Sequence, residues 1–307
     1  MSKKRRQVKK SKSTRARAGV RATAPSARGA LAVATSARRT VKERVAAMSD
    51  ATLAVCEDDQ ALQSMLTVLR DQKEPTEVRL AALASLQAAS FSVVAFESCR
   101  SDFTAALRAV MDDPDAELRQ RVLGLLMREK DGAAQKRLIA GLENPAKALL
   151  PPEKALQLLG YDPHADAYRL ARKIVKDPPN ETAKREALRL LGADSSARPV
   201  FEKILRDKKE APEYRRISAS ALHAIAPDVL QKHAREIVLD SSESEDLQAA
   251  SLTAIAQFGD ADTISGDAEL MKRVGRMRSG ASTKVKLTAK RLLTKYGLEW
   301  DERYVWD

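Results

Sequence analysis

Six nine-residue stretches of the chain share one arrangement of apolar and polar positions. They are VRLAALASL (78–86), LRQRVLGLL (118–126), AKREALRLL (183–191), YRRISASAL (214–222), LQAASLTAI (247–255) and VKLTAKRLL (285–293). Positions one, five, six and nine are mostly small or aliphatic, as in Val78, Ala82, Leu83 and Leu86, which gives a helix two adjoining contact strips. A weaker copy, PPEKALQLL (151–159), fills the long gap, so the copies start 40, 33, 32, 31, 33 and 38 residues apart. Apolar stripes that end in a charged turn precede most copies: LQSMLTVLRDQ (62–72), FTAALRAVMDD (103–113), AYRLARKIVKD (167–177), PVFEKILRDKK (199–209) and HAREIVLDSS (233–242). A period of this size predicts an all-α chain built as a right-handed α-solenoid of about seven antiparallel helix pairs, each with an outer and an inner helix. Truncating a large inner position, Leu86→Ala or Leu126→Ala, is expected to cost ~2–5 kcal/mol where the side chain is buried.

The turns fit that pattern. Pro75 and Pro114 fall near a first helical turn, where a missing N–H costs nothing, and Glu77 and Glu117 bring negative charge to the positive helix end. Asp177 with Pro178 and Pro179 repeats the arrangement, while Ser241, Ser242, Ser282 and Thr283 offer N-cap oxygens. Scarce aromatics, 4% of the chain, and abundant Ala and Leu favour helix packing over β-sheet.

Charge divides the chain further. The formal net charge of +12 is the balance of +14 over residues 1–44, −8 over 45–269, +9 over 270–298 and −3 over 299–307. Residues 1–39 lack acids and aromatics and carry few large aliphatic side chains, so they are expected to be a disordered basic tail. Residues 40–58 read as an N-terminal capping helix, 59–297 as the repeat array and 298–307 as an acidic-aromatic cap that contains Trp300, Tyr304 and Trp306. The tail cations Lys3, Lys4, Arg5, Arg6, Lys9, Lys10, Lys12, Arg15, Arg17 and Arg21 are candidates for polyanion binding through phosphate contact without base readout. A second candidate set is Lys272, Arg273, Arg276, Arg278, Lys286, Lys290 and Arg291, in a run that also holds Lys284 and Lys295 and no acid. Within that run Leu287, Leu292 and Leu293 are expected to supply core.

The succession of outer helix, Asp-containing turn and Arg- or Lys-bearing inner helix, clearest in RAVMDDPDAELRQRVLGLL (108–126) and KILRDKKEAPEYRRISASALHAI (203–225), resembles HEAT-repeat proteins over roughly residues 59–297. The resemblance implies a fold and not one function, because such arrays serve as scaffolds, transport receptors, chromatin components, bilin lyases and a class of DNA glycosylases. The second nonamer position is Arg79, Arg119, Lys184, Arg215 and Lys286, with Pro152 and Gln248 in the other two copies. These cations either pair with turn carboxylates such as Asp113, Asp177 and Asp207, as in similar arrays, or track phosphates along one face; the acidic middle of the chain favours the first.

Catalytic and metal signatures are weak. His164, His223 and His233 show no ligand spacing, no phosphate-cradling glycine cluster occurs, and Cys56 and Cys99 suggest neither a disulfide framework nor a metal knuckle. No cofactor is expected. A glycosylase needs groove aromatics, and the aligned nonamers offer only Tyr214. The expectation is a non-enzymatic adaptor that holds a protein partner on the helical array and attaches to nucleic acid or another polyanion through its tail. Two alternatives are a pure scaffold whose tail folds back on the acidic groove, and a DNA-modifying enzyme. Without an apolar run of membrane-spanning length, an intracellular location is expected, cytoplasmic or at the nucleoid or nucleus, with organellar import as a lesser reading.

Overall fold

The computed structural model describes residues 27–280 and 282–296, and every regular element among them is helical. The chain forms two compact units, residues 1–103 and 104–307. In the first lie α1 (Ala27–Ala34), α2 (Val41–Asp50), α3 (Thr52–Glu57), α4 (Asp59–Arg70), α5 (Thr76–Ser90) and the start of α6 (Arg100–Ala109). Here α1 packs on α2, α4 on α5, and α2 on α5.

The second unit holds the end of α6, then α7 (Ala116–Arg128), α8 (Gly132–Glu143), α9 (Pro152–Leu159), α10 (Ala165–Lys176), α11 (Glu181–Leu191), α12 (Arg198–Arg206) and α13 (Pro212–Ile225). It continues with α14 (Pro227–Leu239), α15 (Glu245–Phe258), α16 (Ala261–Gly266), α17 (Ala268–Gly280) and α18 (Thr283–Lys295). Consecutive helices form hairpins, α8 with α9, α10 with α11, α12 with α13, α14 with α15 and α17 with α18. Each inner helix also touches the next inner helix, in the series α7, α9, α11, α13, α15, α18.

Six of the aligned stretches fall on these inner helices, and VRLAALASL falls on α5. Position one is buried in Val78, Leu118, Ala183, Tyr214, Leu247 and Val285, and so is position nine in Leu86, Leu126, Leu191, Leu222, Ile255 and Leu293. Leu86 and Leu126 are both 0% exposed. Denaturant unfolding of Leu126→Ala is therefore expected to lose ~2–5 kcal/mol, the range for a Leu deleted from a site that collapses incompletely.

The N-terminal expectation needs correction. Residues 27–34 are helical, with Ala30 and Ala34 buried, so order begins well before Thr40. Thr40 and Glu43 close a reciprocal capping box at the start of α2, with Glu43 N donating to Thr40 Oγ1 at 3.3 Å and Thr40 N to Glu43 Oε2 at 2.9 Å. The single capping helix expected over 40–58 is two helices, α2 and α3, and α2 is the second half of a hairpin whose first half is α1. Residues 1–26 and 297–307 lie outside the described residues, and with them the ten tail cations and the aromatic cap.

Two smaller expectations also change. The cap of α15 is Ser244, not Ser241 or Ser242; Ser242 instead donates its Oγ and N to Asp240 Oδ1 at 2.7 and 2.9 Å. Leu287 is 50% exposed and contributes little core. At the end of α7, Lys130 takes a left-handed backbone (φ 56°) while Asp131 N donates to the Leu126 carbonyl at 2.9 Å. A side chain is strained in that region, so Lys130→Gly is expected to raise thermal stability by up to ~1 kcal/mol.

Candidate interaction surfaces

Of the five cations at the second inner position, Arg119, Lys184 and Arg215 tie their hairpin to the turn of the next, Arg79 bonds within its own hairpin, and Lys286, expected in the same ladder, is exposed instead. Arg215, 7% exposed, donates from Nε to the Leu205 carbonyl at the end of α12 (2.9 Å) and from both terminal nitrogens to Glu243 (2.7 Å each). Glu243 precedes α15, one hairpin further on. Lys184 reaches Glu210 at 2.8 and 3.0 Å and lies over the Tyr214 ring at 4.6 Å. Arg79 donates from Nε to the Leu69 carbonyl at 3.0 Å, and Arg119 to the carbonyls of Leu149 (2.7 Å) and Asp113 (2.5 Å). In α15 Gln248 keeps one such bond, from Nε2 to the Asp240 carbonyl at 2.9 Å.

Sequence reasoning missed one member. Arg44 donates from Nε to the Ala34 carbonyl at 3.0 Å and from its terminal nitrogens to Glu74 at 2.6 and 2.8 Å, with 4% of its side chain exposed. This is the Arg215 arrangement again, in the α1/α2 hairpin. Glu43 occupies the aligned first position there, where an apolar residue stands elsewhere, and this hid the match.

In the turn expected to use Asp207, the cation meets Glu210 instead. Glu74, Glu210 and Glu243 each stand three residues after an Asp, in DQKE (71–74), DKKE (207–210) and DSSE (240–243). The Asp shapes the turn and the Glu takes the cation. Asp71, Asp207 and Asp240 each accept the backbone N–H two residues on, at 2.9 Å. Lys208 lies against Asp240 and, with the Ser242 hydroxyl and N–H, holds its carboxyl well below the ordinary carboxylate range. The D-x-x-E spacing is thus the signal that identifies the partners.

The second basic set is less free than its composition implies. Arg273 donates to the Val238 carbonyl at 3.1 Å, Lys284 pairs with Asp246, Lys295 donates to the Ala256 carbonyl, and Lys272 and Arg278 have contacts of their own. The Lys284 ammonium lowers the Asp246 carboxyl below its usual range. Arg276, Lys286, Lys290 and Arg291 are exposed, and no hydrogen bond or ion pair engages them among the described residues. Lys286 and Lys290, four apart on α18, share one side of that helix. Positions two and six of α5, α13 and α15 are buried, whereas the same positions of α18 are these two exposed lysines.

The remaining candidates resolve locally. His164 caps α10 through Nδ1, His223 packs edge-on against Phe258 at 4.9 Å, and His233 lies 3.9 Å from Glu202 and 3.7 Å from Glu236. Tyr214 is 5% exposed, and its hydroxyl donates to the Glu181 carbonyl at 3.1 Å and lies against the Glu181 carboxylate; burial and that carboxylate keep the phenol protonated far above its ordinary range. Cys99 is a buried free thiol. Among the described residues no group of three His, Cys, Asp or Glu side chains could hold a metal ion, and no helix is long and apolar enough to cross a membrane. No protein-family model matches the chain, and no curated protein matches it.

Proposed function

We propose that this chain is a HEAT-like α-solenoid adaptor, right-handed, with a protein partner on its helical surface and a polyanion, nucleic acid foremost, on its basic tail. One observation carries the reading: the cations inside the array are consumed by it. Arg44, Lys184 and Arg215 meet glutamates, and Arg79 and Arg119 meet helix-end carbonyls. These five cations are therefore not a phosphate track. The densest groups of cations outside the ladder are the ten of residues 3–21 and the exposed Arg276, Lys286, Lys290 and Arg291. The burial of Tyr214 supports a binding role over a base-flipping enzyme, which needs an aromatic open to the groove.

The test compares duplex DNA binding by the full-length protein and by a full-length variant with the ten tail cations changed to Gln. Loss of binding in the variant supports a tail anchor. Equal binding overturns it and directs attention to α17 and α18. If neither protein binds DNA and the variant alone gains a basic protein ligand, the tail covers the acidic face of its own chain.

A further inference from the structure

One rung of the internal ladder is missing both of its members. At α9 the second position is Pro152, which has no donor, and the position three residues after Asp177, where Glu210 and Glu243 stand in their own turns, is Asn180. Asn180 is already committed, capping α11 by accepting from Ala183 N at 2.7 Å. The Leu142 carbonyl near the end of α8, ten residues before Pro152, corresponds to the Leu205 carbonyl that Arg215 occupies.

The place is a cavity of about 320 Å³, lined by Leu142, Leu150, Pro152, Ile174, Asp177 and Pro179 among others. Around Arg215 the equivalent space, lined by Leu205, Ile237, Asp240 and Glu243, is only about 140 Å³. Its single carboxylate is also unlike its counterparts. Asp71, Asp207 and Asp240 spend one oxygen on the N–H two residues on. Two residues after Asp177 stands Pro179, which has no N–H, and no described residue donates to the Asp177 side chain.

We propose that this cavity is a binding slot for an arginine side chain supplied by a partner protein, which completes the ladder from outside. Leucine, isoleucine and proline walls suit the aliphatic stem. The guanidinium is planar and always charged, and its fork can donate to a helix-end carbonyl and a carboxylate together, as Arg44 and Arg215 do internally. A lysine offers one point charge and lacks that double geometry. The inference rests on the adaptor reading for the donor being a protein, but it does not depend on the tail or on DNA.

N-acetyl-arginine amide, titrated into the isotopically labelled full-length protein, reads the slot directly by NMR. Saturable shifts are expected at the amides of Gly141, Leu142, Ile174 and Asp177. The citrulline analogue, which keeps the shape and loses the charge, should bind about tenfold more weakly, and Asp177→Asn should weaken the arginine probe about tenfold, the factor of a lost charge-assisted bond. No shift at these amides, equal binding of the citrulline or norleucine analogue, or an unchanged affinity in Asp177→Asn would each overturn the proposal. Failure here leaves the DNA result of the tail-substituted protein untouched, and the reverse also holds.

Discussion

Between about 50 and 200 mM salt, the affinity of the full-length protein for duplex DNA is expected to fall by ~10³ to 10⁵, the loss that six to ten phosphate contacts produce through counterion release. Ten cations stand within residues 3–21 with no acid and no aromatic among them, so the binding should be strongly salt-dependent and nearly indifferent to sequence. A slope of about −0.9 per neutralised phosphate converts the measured salt dependence into a count of contacts. Replacing the ten tail cations by Gln should flatten the plot. Replacing Arg276, Lys286, Lys290 and Arg291 should reduce the slope by at most ~4, because each neutralises at most one phosphate. The structure also sets the boundary for any truncation. Removing residues 1–39 would delete α1 and strip the Ala34 carbonyl from Arg44, so weakened binding would then mix a folding defect with a lost contact. A salt slope that survives the tail substitutions would sink the anchor reading.

Arg215→Ala is expected to lower the unfolding free energy by ~3–5 kcal/mol, because it leaves Glu243 buried without its partner. The side chains of that pair are 8% and 5% exposed, and the same substitution also orphans the Leu205 carbonyl. Replacing both partners by apolar residues of similar volume should recover most of the loss, since the cost lies in the uncompensated charge. Arg235 provides the control. It bonds Asp267 at 2.6 Å and Glu269 at 2.9 Å but is 44% exposed, so Arg235→Ala is expected to cost at most ~1 kcal/mol. Calorimetry of the three variants checks the ranking; equal losses from Arg215→Ala and Arg235→Ala would show that the buried rung carries no special weight.

The inner helices were legible because their apolar spacing repeats in a long window, and a tertiary contact that recurs leaves a period in the sequence. What escaped has physical reasons. The α1 sequence, ARGALAVA, buries alanine methyls and no large side chain, so its pattern sits close to that of a flexible linker. A helix that short holds its shape through packing on α2 and α3, which no local window contains. Likewise α8, GAAQKRLIAGLE, fully buries only Ala134 and Leu138, which makes a narrow apolar stripe. In the basic run 270–298 the counter-charges are supplied from afar: Asp246 stands 38 residues before Lys284, and backbone carbonyls, invisible to any charge count, take Arg273 and Lys295. Only the D-x-x-E turns could have been paired with the preceding cations beforehand, once the Arg and its Glu are sought about 30 residues apart.

That the rungs of Arg44, Arg119, Lys184 and Arg215 join residues of successive hairpins bears on how such a chain can change length across generations. Excision of the segment between Lys184 and Arg215 would bring Lys184 to the turn that carries Glu243, so a duplicated or lost hairpin there still finds an acid for its base. An excision that set Arg119 opposite Asn180 would leave the cation facing an amide. Gain and loss of repeats is thus tolerated where rung follows rung, and the stretch around Pro152 marks a seam that recombination crosses at a cost.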